Sequence, residues 1–283
     1  MNERDRILSV LVDVPGLPSA ATRILTLIQN ENTSIAEIMA EVEYDPGLTA
    51  DVLRLANSAY FAGPRKISSL RDAGVLFGLN RMMHITLASA IFPLASQPIK
   101  GYDLPPGALL DHMIAVAIGA EELGKKLNLP APAYTFTAGL LHDIGKIILG
   151  TFAEVNVEAI LEIASSQTIP FNIAENHVLG IDHAEAGAAL LKFWDFPQDI
   201  IDVVHWHHQP EKFHGDSLVL DLVHVADMLS IECGLGVGID GLNYCPSPVV
   251  IERMRLDPAS MEQISCIMLT ELEKIRSQWE AAY

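Results

Sequence analysis

Apolar residues recur along most of the chain at intervals of three and four, the spacing that gathers them on one face of a helix. In SAATRILTLIQN the stripe is Ala21, Ile24, Leu25 and Ile28, and in SIAEIMAEVE the helix opens with Ser34 and Glu37 at capping-box spacing. YDPGLTADVLRLANSAYF places Asp45 as a cap and Pro46 at the first helical position, with Leu48, Val52 and Leu55 following at helical intervals. Alternation over four to eight residues, the mark of a half-buried strand, is nearly absent. An all-α, multi-helical fold is expected. Polar residues, Gly101, Gly107 and the Pro105-Pro106 pair in SQPIKGYDLPPGA interrupt two apolar helices, so the expected division is an amino-terminal helical part, 1–104, and a second helical part, 105–283. The glycines of CGLGVGIDGLNYCPSP neither follow a strand nor open a helix as a phosphate-binding turn would, and read as a flexible loop.

Composition narrows the setting. The chain has 283 residues, half of them hydrophobic, enough to bury a large core. No apolar run reaches the roughly 18 to 20 residues of a spanning helix, and the start MNERDRILSV has acids where a signal peptide is basic; a soluble, cytoplasmic protein with no membrane association is expected. Cys233, Cys245 and Cys266 are odd in number and far apart, against a disulfide framework or a thiolate zinc site. A formal charge of −18 repels a phosphate backbone, so nucleic acid is not the expected partner. A helix-turn-helix around Gly78 in SSLRDAGVLFGLNRMMHITLAS would offer little beyond Arg81 to a phosphate.

Within these helices histidine and aspartate recur on apolar faces. His112 shares a face with Val116, Gly119 and Leu123; Ala138, Leu141, His142, Gly145 and Leu149 form another stripe, in which Gly145 would let a neighbouring helix approach closely. Asp143 follows His142 about 100° around a helix, so the two reach one ion only if it lies between their directions. His183 falls in the first turn of IDHAEAGAALLKFW, beside Gly187 and Leu190, with Asp182 and Glu185 at capping spacing. His207 and His208 stand at the carboxyl end of a helix that Pro210 terminates, and Asp227 lies on the buried face of SLVLDLVHVADMLSI. Each has a plainer explanation singly: His183 as an exposed first-turn residue, His207 and His208 as partners of a helix's negative end, Asp227 as the partner of His224. Together, on five helices with few basic residues nearby, they point to a nitrogen-and-oxygen site for one or two divalent ions of iron, manganese or zinc.

The order His112, His142-Asp143, Asp227 resembles the H, HD, D pattern of the HD superfamily of metal-dependent phosphohydrolases. More closely, LPSAATRILTLIQ, DPGLTADVLRLANSAYF, ISSLRDAGVLFGLNRM, LLHDIGKIIL, DHAEAGAALLKFW and VVHWHHQPE are similar to successive segments of the HDOD family, over roughly residues 11 to 235. That resemblance implies an all-helical fold and a role in bacterial signal transduction, as a regulatory or interaction module with a protein partner. His183 and the His207-His208 pair occur in the order seen in the related HD-GYP phosphodiesterases, whereas HHQPEKFHGDS lacks their GYP motif. Two functions follow. In one the chain is an interaction module with a retained metal site. In the other it is a metal-dependent phosphohydrolase acting on a phosphoester or nucleotide, in which the metal ligands His112, His142, Asp143, His183, His207, His208 and Asp227 serve to activate a water, Asp143 is catalytic, and Lys146, one turn from the His-Asp pair, steadies charge on a phosphoryl oxygen.

Overall fold

Helix caps written into the sequence start the elements where the apolar stripes begin. Ser34 and Glu37 form the reciprocal box, the Glu37 amide donating to Ser34 Oγ at 3.3 Å and the Ser34 amide to the Glu37 carboxylate at 2.8 Å. Asp45 accepts from the Leu48 amide at 3.0 Å ahead of Pro46, and Asp182 from the Glu185 amide at 2.8 Å. The structure, a computed structural model, describes residues 2–17, 19–28, 33–57, 66–153, 155–215, 217–241 and 243–280. Among these, every regular element is helical, apart from one isolated bridge between Ile99 and Leu104. Of the first apolar stripe, Ala21 and Ile24 are buried; the side chains of Leu25 and Ile28 lie outside the described residues, as do Ser58–Phe61 at the end of the segment that begins at Asp45.

The chain divides into two compact units, residues 1–15 with 94–269 and residues 16–93 with 270–283. In the second, Asn57 ends the helix Pro46–Ala56 by donating from Nδ2 to the carbonyls of Leu53 and Ile67 at 2.7 and 2.8 Å, while its Oδ1 accepts from the Ile67 amide at 2.8 Å. One side-chain amide thus pins residue 67 to the helix end. The long apolar stretch Leu70–Ala95 is interrupted at Gly78, whose φ of 71° no L side chain readily adopts, and its two parts, Leu70–Leu79 and Arg81–Ala95, are bent by 116°. No single helix among the described residues is long and apolar enough to cross a membrane.

The first unit builds its core on the helix Ala108–Lys126, packed against Thr135–Leu141 and Leu218–Glu232, with His183–Phe193 against Gln198–Trp206 beside them. Close crossings depend on missing side chains. A Cβ on Gly139 would stand 2.8 Å from Ala117 Cα, and one on Gly145 would stand 1.8 Å from the His183 carbonyl oxygen and 2.5 Å from the Gly187 nitrogen. The expected close approach at Gly145 is therefore made, by the helix that carries His183. The continuous helix expected through His142 and Asp143 is not: Thr135–Leu141 ends with His142 as its cap, and the chain passes through a tight turn, with the Ile144 amide bonded to the Leu141 carbonyl at 3.0 Å, before helix resumes at Gly145. Replacement of Gly145 by alanine is expected to cost about 1–3 kcal/mol or more through overpacking against backbone that cannot yield. Thermal unfolding measures it, with the exposed Gly16→Ala, where nothing lies within 4 Å, as the reference.

Candidate metal centre

The turn after Leu141 decides the geometry of the His142-Asp143 pair. It sends His142 toward His112 and Asp227, and Asp143 toward His183, His207 and His208, so that consecutive residues enter two adjoining groups of donors. Within each group one donor atom per residue lies within 4.8 Å of the others. All seven sequence-predicted ligands are brought together, all in the first unit, and six are buried: His142, His183 and His207 are 0% exposed, Asp143 and Asp227 1% and His112 2%, while His208 is half-buried. Burial disposes of the plainer explanation for His183, whereas His207 does meet the end of its own helix, through Nδ1 and the Val204 carbonyl, and still turns Nε2 inward. His224 donates instead from Nδ1 to the His207 carbonyl at 2.7 Å and accepts the Ser247 amide at Nε2. It thus acts as a buttress of the His207 backbone.

Two carboxylates link the groups. Asp143 Oδ2 lies 3.2 Å from His112 Nε2 and 3.5 Å from His142 Nε2, while its Oδ1 lies 3.4 Å from His183 Nε2 and 3.7 Å from His207 Nε2. Asp227 Oδ1 lies 3.2 Å from His112 Nε2 and its Oδ2 3.5 Å from His208 Nδ1. The ring nitrogens are aimed by what holds their far sides: Nδ1 of His142 donates to the Gly139 carbonyl at 2.7 Å, that of His207 to Val204 at 2.7 Å, that of His112 to Leu235 at 2.9 Å, and that of His183 to Glu175 Oε2 at 2.7 Å. Each of these leaves Nε2 facing inward, the tautomer a metal ligand requires.

The donor set fits a divalent metal. Both oxygens of Asp143, Asp227 Oδ2, His207 Nε2 and His208 Nδ1 are buried without a hydrogen-bond partner, at a cost of about 1–3 kcal/mol each. Nε2 of His183 and His208 face one another at 2.9 Å, and those of His112 and His142 at 3.2 Å. Two nitrogens converging this closely match ligands of one ion at bonds of about 2.0–2.1 Å.

Lys146 is buried as well. Its ammonium sits 2.7 Å from Asp143 Oδ2, an ion pair outside hydrogen-bond geometry, and 2.5 Å from Asp240 Oδ2, with the Tyr102 ring centroid 5.7 Å away. Burial works against its charge, but the two carboxylates outweigh it and hold its pKa above the ordinary lysine value. Asp240 was not found from sequence: it lies in the stretch read as a flexible loop. That loop packs tightly, since a Cβ on Gly236 would meet the Ala108 carbonyl oxygen at 2.3 Å and one on Gly238 the Tyr102 carbonyl oxygen at 2.0 Å. From it Leu235 supplies the carbonyl that anchors His112, and Tyr244 stacks on His208 at 4.5 Å. Glu175 and Tyr102, hydrogen bonded to each other, were missed too. A glutamate in FNIAENHVL, between Ala174 and Asn176, carries no signal that sets it apart.

Burial also opposes charge on His112 and His183, yet Asp143 and Asp227 raise the first to about 9, and Glu175 and Asp143 raise the second to about 9. Burial, reinforced by His142, lowers His207 to about 3, and burial with His207 beside it holds His208 well below the usual range. Asp143 and Asp227 stay well below theirs in spite of burial, the first through Lys146 and His142, the second through the rings of His112 and His142 beside it.

An all-helical unit that encloses converging histidines and aspartates defines a class of protein able to hold a divalent metal at its core. The HDOD domain family matches residues 14–210, and the chain belongs to that family. It is 26% identical over 206 residues to an uncharacterized protein of Treponema pallidum (strain Nichols), a match that covers 71% of this chain and 39% of that one. Among solved structures, an HDOD domain protein of unknown function from Geobacter sulfurreducens is 24% identical with a TM-score of 0.73, over 98% of this chain and 97% of that one. A "Putative phosphohydrolase" from Shewanella amazonensis SB2B is 25% identical with a TM-score of 0.73, over 96% of this chain and 97% of that one.

The shifts set a pH window for the metal-free protein. Stabilisation from the raised His112 and His183 is complete below their unfolded value of 6.5 and lost as pH rises through about 9. His207, held to about 3, acts in the opposite sense: the unfolded chain takes up its proton below 6.5 and the folded chain does not, so stability falls with pH there. Chelator-treated protein is expected to show its highest Tm near pH 6.5 and a decline from there to pH 9; a Tm rising steadily over that interval contradicts the assignment.

Proposed function

We propose that this HDOD chain is a regulatory module of bacterial signal transduction, working in the cytoplasm through a protein partner, and that its buried cluster retains one or two divalent ions of iron, manganese or zinc. The observation that carries this reading is enclosure. Six of the seven candidate ligands are at most 2% exposed, His208 presents a side chain 5% exposed, and the Lys146 ammonium is committed to Asp143 and Asp240. A metal in such a site supplies folding energy to the unit that surrounds it.

A second reading, a metal-dependent phosphohydrolase acting on a phosphoester or nucleotide, has one observation in its favour. His208 lines a cleft of about 440 Å³ shared with Asn172, Asn176, His177, Gln209 and Lys212, so a ligand there would reach the edge of the cluster. A metal at the site would supply a water acidified toward neutrality. The chain's own part would be to aim that water with Asp143 and Asp227 and to turn Lys146 from Asp240 toward a phosphoryl oxygen.

Elemental analysis of the purified protein beside His142→Ala separates both readings from a metal-free fold: near-stoichiometric metal, diminished in the variant, is expected. The loaded protein is then assayed with bis(p-nitrophenyl) phosphate. The module reading expects no turnover; turnover that Asp143→Ala abolishes while the helical circular dichroism persists overturns it in favour of the phosphohydrolase.

A further inference from the structure

The four Nδ1 anchors of the cluster are not alike. Those of His112, His142 and His207 are neutral backbone carbonyls, whereas His183 donates to the carboxylate of Glu175. Glu175 is 0% exposed, and the same Oε2 accepts the His183 amide at 2.9 Å, so it fixes the ring and the first turn of the helix His183–Phe193 at once. Its other oxygen, Oε1, accepts from the hydroxyl of Tyr102, a residue 1% exposed, so both oxygens of the carboxylate are held. A charged acceptor makes roughly twice as strong a hydrogen bond as a neutral one and raises the basicity of the ring it holds. The group that includes His183 also offers four donors, Asp143, His183, His207 and His208, against three in the group of His112, His142 and Asp227.

We infer that the centre has two unequal metal positions and that Glu175, kept in place by Tyr102, acts through His183 as the positioning residue that makes the position of Asp143, His183, His207 and His208 the tighter. This rests on the metal-centre reading above and deepens it. The exchange to test is Glu175→Gln, whose side-chain oxygen can still accept from Nδ1 but carries no charge.

Zn²⁺ is titrated into metal-free protein in competition with a chromophoric chelator. The wild type is expected to bind in two steps, and Glu175→Gln to weaken the tighter step by about 10- to 100-fold while leaving the weaker one in place. Tyr102→Phe leaves the carboxylate charged but frees Oε1, and should weaken the same step by less. If Glu175→Gln does not fold, Tyr102→Phe with unchanged circular dichroism decides by the same split between steps. Equal weakening of both steps, or no change in either, overturns the role of Glu175. A single step in the wild type overturns the two positions while the metal reading stands, and a wild type that takes up no Zn²⁺ removes that reading itself.

Discussion

Two ionised carboxylates at the centre of an apolar helical unit are the constraint around which the rest is arranged. Asp143 and Asp227 are 1% exposed, and an aspartate so placed costs several kcal/mol unless opposing charge or strong hydrogen bonds surround it. The surrounding elements supply these. His112 from one helix, His142 from the turn, His183 from a helix N-terminus and the His207-His208 pair from a helix C-terminus all face the two side chains, and Lys146 adds a full positive charge. Even so, both oxygens of Asp143 and one of Asp227 lack hydrogen bonds. Protein groups alone leave these oxygens unpartnered, and a divalent ion would supply the partner they lack.

The helices read well from sequence because the signals are local. Ser34 with Glu37, Asp45 with Pro46, and Asp182 with Glu185 each act within one turn, and each does in the structure what its spacing implies. The inward histidines could be placed because helical periodicity turns position into direction: His112 and Asp227 share faces with residues that are buried. His142 and Asp143 were legible as a pair and not as a geometry. The break at Leu141 is made by the bonding of a tight turn and by packing against His183–Phe193, and no residue between Leu140 and Gly145 is a helix breaker.

What stayed hidden is non-local. Glu175 lies eight residues before His183 and on another helix, and only the fold brings its carboxylate to the ring. Asp240 belongs to a stretch whose glycines suggested freedom; their missing side chains instead let the loop lie against Ala108, His112 and Tyr102. Glycine in a loop and glycine at a helix crossing look the same on paper. Tertiary contact alone tells a permissive backbone from a tightly fitted one.

The crossing of Gly145 and Gly187 has a metrical meaning beyond its packing. Gly145 follows Asp143 by two residues and lies against the backbone of His183, so the contact between the two backbones sets how far Asp143 Oδ1 stands from His183 Nε2, 3.4 Å. The absence of a methyl group there serves as a gauge: it fixes the spacing of two donors that a metal ion would share, through atoms that would never touch the ion.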